Sequence, residues 1–246
     1  MVVAGNGRGL GSGIARRFGQ AGAHVVLADT DARAGEDAAR VLRGEGLSVS
    51  YEKLDLRDQA RVTTLVGRVV GDRERIDVWV NDLSVARKGA AEALTREAWQ
   101  ESVDTTLSGS FYCSQAAGRH MLAQGRGVIV NVTSVDGYQA IEGNAASCAA
   151  HAGLVMLTQA LGIEWASRGV RVVGIAPGAL TTDFSQDGTS EGSDVVRAYE
   201  RRTPLRRIGT VEEVAEAVLY LTGEEASYVT AETMRVDGGW TAYQLF

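Results

Sequence analysis

The sequence predicts an α/β domain, a doubly wound parallel sheet of about seven strands with helices on both faces, and three observations carry that prediction. Short apolar runs alternate with longer amphipathic segments along the whole chain. The 246 residues, 45% hydrophobic and 23% charged, suffice for one full core. No linker, repeat or low-complexity stretch divides them. Strands separated by helical patterns of this length form right-handed βαβ units, and both faces of the resulting sheet are covered.

In chain order the strand-like runs are VVA, HVVLA, SVSYEKL, IDVWVN, GVIVNVT, VRVVGIA and ETMRVD. Each is short and rich in Val and Ile, as buried strands are. Between them, helical patterns run from Gly13 to Ala21, Asp31 to Arg43, Gln59 to Val70, Ala98 to Ala123 and Ala145 to Ser167. This is a Rossmann-type arrangement, whose first half (1–135) would bind a dinucleotide and whose second (136–246) would serve substrate and assembly. The polar, Gly/Ser-rich stretch from Thr181 to Asp194 follows a strand end, where such folds place their ligand crevice, and is expected to be a lid.

Composition excludes some functions. A formal net charge of −6 leaves no basic surface for nucleic acid or an anionic membrane. Cys113 and Cys148 have neither metal-type nor disulfide-framework spacing, which suits a reducing cytoplasm, and no metal site is expected. No apolar run of about 18 residues suggests a membrane span, and the N-terminus lacks signal-peptide character.

The first strand leads into AGNGRGLGSG. Gly5, Gly9 and Gly11 permit a tight turn into a helix whose first amides, with Arg8 and Leu10 beside them, would meet a pyrophosphate. Asp29 closes the second strand, where a carboxylate accepts hydrogen bonds from ribose hydroxyls and repels a 2′-phosphate; NAD is therefore expected over NADP.

With these residues the sequence resembles the short-chain dehydrogenase/reductase family over nearly its whole length. Gly5, Gly9 and Gly11 match the TGxxxGxG loop with Ala4 for the Thr, and Asp55, followed by Leu56, matches the acid used against the adenine ring. Asn81 matches the first Asn of NNAG, Ser134 the catalytic serine, and Pro177, Gly178 and Thr182 the segment that meets the nicotinamide carboxamide. RTPLRRIGTVEEVAEAVLYL and VDGGW match the C-terminal helix and last strand. The resemblance implies a nicotinamide-dependent oxidoreductase acting on a small molecule, assembled as a dimer or tetramer through the long helices and the C-terminal segment.

The pattern then breaks. The family transfers its proton with a Tyr-x-x-x-Lys pair beginning thirteen residues after the serine, and those positions hold Ser147 and His151; the assisting Asn position holds Thr106. Serine is a far weaker acid than a phenol and is shorter, and histidine, with a reference pKa of about 6.5, is not a fixed cation at neutral pH. Losing a positioned general acid costs about 10² to 10⁴ in rate. NNAG has become NDLS, placing Leu83 and Ser84 beside the nucleotide path, where Leu83 is expected to crowd the cofactor; Val173 replaces an Asn and Ala231 a Gly.

Three readings follow. In the first, Ser147 and His151 are what drift left behind, and the chain is an inactive or impaired subunit supporting an active paralogue in a homo- or hetero-oligomer. Leu154, Leu157, Leu161 and Trp165, at helical spacing, would supply part of the assembly surface. In the second, the chain remains an NAD(H)-dependent dehydrogenase with a relocated acid, Tyr138 or Tyr112. In the third, His151 deprotonates Ser147, one turn away, in a hydrolase or lyase, with Asp136 or Asp104 as its orienting acid. Trp99 and Trp165 are expected to be packing residues.

Overall fold

A computed structural model describes residues 1–5, 9–182 and 193–243. Seven parallel strands form one sheet: β1 (Val2–Ala4), β2 (Val25–Asp29), β3 (Val49–Lys53), β4 (Val78–Asn81), β5 (Gly127–Val132), β6 (Val170–Pro177) and β7 (Thr233–Val236). Their order is β3-β2-β1-β4-β5-β6-β7, so the winding reverses between β1 and β4. At that reversal the two flanking connections leave in opposite directions and open a crevice beyond the carboxyl ends of the strands.

The helices are α1 (Leu10–Gln20), α2 (Ala32–Gly44), α3 (Gln59–Arg73), α4 (Arg96–Val103), α5 (Ser110–Gln124), α6 (Ala145–Trp165), α7 (Asp194–Arg202) and α8 (Val211–Thr222). One apolar layer joins the sheet to α3, α5 and α6 around Val66, Trp79, Met121 and Ile129. The other joins it to α1, α2 and α8 around Ile14, Leu42, Val80 and Val214. Because both faces are covered, the inner strands are largely apolar rather than alternating, whereas the edge strands β3 and β7 carry polar residues. Gly13 sets the spacing of α1 and α8, since a Cβ there would lie 2.0 Å from Val211 Cγ1. Helix starts are chemically marked: Asp31 caps α2 through the amides of Arg33 and Ala34, and Thr210 and Glu213 form a reciprocal cap on α8.

Three expectations change here. The helix expected from Ala98 to Ala123 is α4 and α5 joined by a π-helical segment, Asp104–Gly109, which sequence periodicity does not distinguish from a regular helix. Leu154, Leu161 and Trp165 point into the core and Leu157 is half-buried; the exposed apolar side chains of α6 are Met156 (62%) and Ile163 (74%), with the exposed Ala160 between them and Ala149 and Ala152 before them. Trp99 is 42% exposed and not a core residue, unlike Trp165, which packs over Gly118. The stretch Ala145–Arg168 is long and apolar enough to cross a membrane, but it lies against the sheet as a core helix. Most of the expected lid, 183–192, and Arg8 lie outside the described residues.

Candidate functional site

The crevice has two ends. At the first, β1 passes into Gly5, whose φ of 91° belongs to the left-handed region and whose amide donates to Ala28 O at 2.7 Å. A Cβ at Gly5 would lie 2.4 Å from Asp82 O, so only glycine lets this turn sit against the end of β4. Gly9 is the N-cap of α1 and brings no side chain to its first amides, leaving a helix terminus suited to an anion. Gly11 and Leu10 are buried within α1, and Leu10 belongs to the core, so only their backbone is offered to a ligand.

Asp29 ends β2. Its carboxylate accepts from the Asp31 amide (3.0 Å) and Thr30 Oγ1 (3.2 Å), and Tyr51 Oη donates to its carbonyl at 2.9 Å. Burial first, then Asp29 and nearby acids, push the Tyr51 pKa up to about 12, so the phenol remains a donor. Asp55 binds Arg57 with both oxygens, at 3.0 and 2.8 Å, and that contact holds its carboxyl below the usual range. A cavity of about 420 Å³ runs between Gly5, Asp29, Asp55, Leu56, Leu83 and Glu101. Glycine turn, uncapped helix start and carboxylates facing a cavity together fit the phosphates and hydroxyls of a dinucleotide.

One residue here behaves otherwise than expected. Asn81 is fully buried: its Nδ2 donates to Ser114 Oγ (2.9 Å) and Asn131 Oδ1 (2.8 Å), and its Oδ1 accepts from Trp79 Nε1 (2.7 Å). It ties β4 to β5 and α5 from inside and offers no side-chain atom to a ligand. Leu83 is also buried; its side chain lies between Gly5 and Gly109 and lines the cavity.

The second end lies beyond β5 and β6, where Thr133 N donates to Ile175 O at 2.7 Å. Ser134 follows, in extended backbone, and its Oγ accepts the Asp136 amide at 3.1 Å, starting the 3-10 turn Val135–Gly137. That turn brings the Asp136 carboxylate to α6. Ser147 Oγ donates to Asp136 Oδ2 at 3.1 Å and Asn144 Nδ2 to the same oxygen at 3.4 Å.

His151, one helical turn beyond Ser147, is 3% exposed. Its Nε2 lies 3.3 Å from Ser84 Oγ, linking α6 to the loop after β4, and its Nδ1 is buried without a partner. Burial pushes its pKa down to about 4 against the opposing pull of Asp136, so the ring is neutral at pH 7. Ser147 is thus paired with Asp136 and His151 with Ser84; the serine–histidine dyad expected for a hydrolase is not formed. Thr106, in the π-helical segment, is buried with its Oγ1 unpartnered. Tyr138 is 40% exposed, and its ring lies 5.4 Å from the Arg235 guanidinium of β7, a contact with neither Ser134 nor Ser147. Pro177 closes β6, the Gly178 amide donates to Val236 O at 3.0 Å, and Thr182 is the last residue described before the expected lid.

Sequence reasoning brought Ser134, Ser147 and His151 to one end of the crevice, and the structure places them there. It named Asp136 only as an orienting acid for His151 and missed the contacts of Asn144 and Ser84. No local pattern signals these contacts, because each joins a loop to a helix far away in sequence or across a turn.

A family model described as enoyl-(acyl carrier protein) reductase matches residues 4–241. The chain is 34% identical over 239 residues to a 3-oxoacyl-acyl-carrier-protein reductase of Chlamydia muridarum, covering 97% of this chain and 95% of that protein. It is also 34% identical over 242 residues to a cis-4-hydroxycyclohexanecarboxylate dehydrogenase of Sinomonas cyclohexanicum, with 98% and 96% covered. Among solved structures, a gluconate 5-dehydrogenase of Burkholderia cenocepacia in complex with NADP and tartrate superposes with a TM-score of 0.92 at 30% identity, covering 99% of this chain and 95% of that one. A short-chain type dehydrogenase/reductase of Mycobacterium ulcerans gives 0.93 at 28%, with 99% and 90% covered.

Proposed function

This chain belongs to the short-chain dehydrogenase/reductase family of oxidoreductases, and from that premise we propose that it is a dinucleotide-holding member with an impaired or absent proton relay, serving as a subunit beside an active relative. One observation carries the reading: at the two positions where the resembled relay needs a phenol and a permanent cation, Ser147 is bound to a carboxylate and His151 is buried and neutral. When bound, the cofactor supplies the hydride chemistry. The chain's own residues would hold it through the Gly5–Gly9 turn, the start of α1, Asp29 and Asp55, and at the other end Pro177, Gly178 and Thr182. Ser134 would face the substrate oxygen, with neither a phenol at position 147 nor a lysine at position 151 to exchange its proton.

Asp29 supports NAD over NADP, since a carboxylate at the end of β2 accepts from ribose hydroxyls and repels a 2′-phosphate, whereas Asp55 and Glu101 in the same cavity are already paired with Arg57 and Arg87. Relatives divide on this point: one is named an NAD-dependent glycerol dehydrogenase, and the gluconate 5-dehydrogenase structure contains NADP. The exposed apolar stripe of α6, Ala149, Ala152, Met156, Ala160 and Ile163, supports assembly with a second chain of the same fold.

Purifying the chain alone and together with a tetrad-retaining paralogue of its genome tests the reading. Expected is a mixed oligomer by native mass spectrometry, with turnover in the complex and none in the isolated chain. Turnover by the chain alone, abolished by Ser134→Ala, sinks it. A second reading, an active dehydrogenase with a relocated acid, is favoured by the 3.1 Å contact of Ser147 with Asp136, which sets a carboxylate one hydroxyl away from the tyrosine position.

A further inference from the structure

We propose that the catalytic end of this chain discriminates between the redox forms of its cofactor, holding the oxidised, cationic nicotinamide in preference to the reduced, neutral ring through the carboxylate of Asp136. The inference rests on the reading that the chain holds a nicotinamide dinucleotide; it does not require turnover. Oxidised and reduced dinucleotides are nearly the same shape and differ by one positive charge at the ring. Any fixed charge at that end of the crevice therefore acts on one form and not the other.

The fixed charge here is negative. Asp136 lies on the turn that directly follows β5 and Ser134. Its side-chain donors, Ser147 Oγ and Asn144 Nδ2, are both neutral, and among the described residues it makes no ion pair. Both donors bind the same oxygen, which fixes the carboxylate without cancelling its charge. Asn144 Oδ1 adds a further acceptor, buried without a partner, and among the described residues no cation pairs with the carboxylate. His151, packed on α6 one turn away, is neutral because burial outweighs the attraction of Asp136.

Arg235 lies over the ring of Tyr138, two residues after Asp136, and donates to Thr241. Asp237 stands in its field and accepts from the Gly239 amide, the Thr241 amide and the Thr241 hydroxyl, so the arginine's charge is offset locally. The same end of the crevice thus has the opposite sign from one built around a lysine. For unit charges several ångströms apart in a partly solvated protein site, the interaction corresponds to roughly a five- to tenfold change in affinity.

Isothermal titration of NAD⁺, NADH and ADP-ribose into the full chain, Asp136→Asn and His151→Lys tests this. ADP-ribose lacks the nicotinamide and reports on the adenosine end and on folding. Expected is a five- to tenfold loss of NAD⁺ affinity in Asp136→Asn, with NADH and ADP-ribose within about twofold of the parent. His151→Lys, which adds a cation at the same end, is expected to shift the NAD⁺ to NADH ratio in the same direction. Equal responses of NAD⁺ and NADH in both variants, with ADP-ribose still bound, overturn the inference and leave the dinucleotide reading standing. Binding of none of the three ligands to the parent chain removes the dinucleotide site, and the inference with it.

Discussion

The two ends of the crevice differ in what holds them together. At the adenosine end, the essential features are backbone features: a left-handed glycine pressed against the carbonyl of Asp82, a helix start with no side-chain cap, and carboxylates at strand ends. At the catalytic end, everything depends on side chains, and the side chains have been exchanged into new pairs. Ser147 has found Asp136, and His151 has found Ser84. The contrast supports the proposal that a scaffold's ligand cradle and its chemistry are separable. The cradle is set by packing that the fold itself needs, whereas a proton relay is an addition that the fold does not require.

The exchange at the catalytic end is not simple decay, because two departures from the family pattern meet each other. Ser84 stands where a glycine is usual and His151 where a lysine is usual, and the two are in hydrogen-bond contact. Yet the pairing is incomplete: His151 Nδ1 and Thr106 Oγ1 remain buried and unsatisfied, a state that costs about 1–3 kcal/mol per group.

The strongest way to break this separation is to rebuild the relay. Ser147→Tyr combined with His151→Lys is expected to raise dinucleotide-linked oxidation of a panel of secondary alcohols by about 10² to 10⁴ over the parent, measured as reduced-cofactor absorbance. If the double variant folds and binds cofactor yet stays at the parent's rate, the loss extends beyond the relay.

A smaller effect sharpens the contrast through stability. His151 has a folded pKa of about 4 against an unfolded value near 6.5, so the native state favours the neutral ring. Its contribution is complete above about pH 6.5 and is lost as pH falls from there toward 4, by up to about 3 kcal/mol. Urea titrations across that range should show the loss in the parent and its absence in His151→Gln. An identical slope in both would mean that the ring is protonated in the native protein.

The smallest expected effect lies outside both ends. Ala231 holds a φ of 59°, which disfavours a residue with a Cβ, and it packs against Gly162. Ala231→Gly should stabilise the fold by about 0.5–1 kcal/mol, read as a rise in melting temperature with cofactor affinity unchanged. A fall in melting temperature would show that the alanine methyl contributes more by packing than it costs in strain.

Much of the fold was legible because it rests on local signals. All seven strand-like runs are strands, and the helical pattern that begins at Asp31 is α2, with Asp31 as its cap. The π-helical break at Asp104–Gly109 was not legible, since one extra residue per turn over six residues leaves the apolar spacing almost unchanged. Asn81 was misjudged for a related reason: as a motif residue at a strand end it suggested a ligand contact, but its side chain is consumed by Trp79, Ser114 and Asn131. The apolar positions of α6 were all visible, yet which stripe faced outward depended on the rotation of the helix against the sheet, and Met156 with Ile163 took the exposed side.

Sequence by itself determined the sheet, its winding, the glycine turn and the absence of a phenol and a lysine at the catalytic positions, because these follow from residue type, periodicity and register. Only the tertiary structure decided that His151 is neutral, that Ser147 belongs to Asp136, and that Asn81 faces inward. Protonation and pairing depend on burial and on partners brought from distant segments, and those are set when helices pack on a sheet.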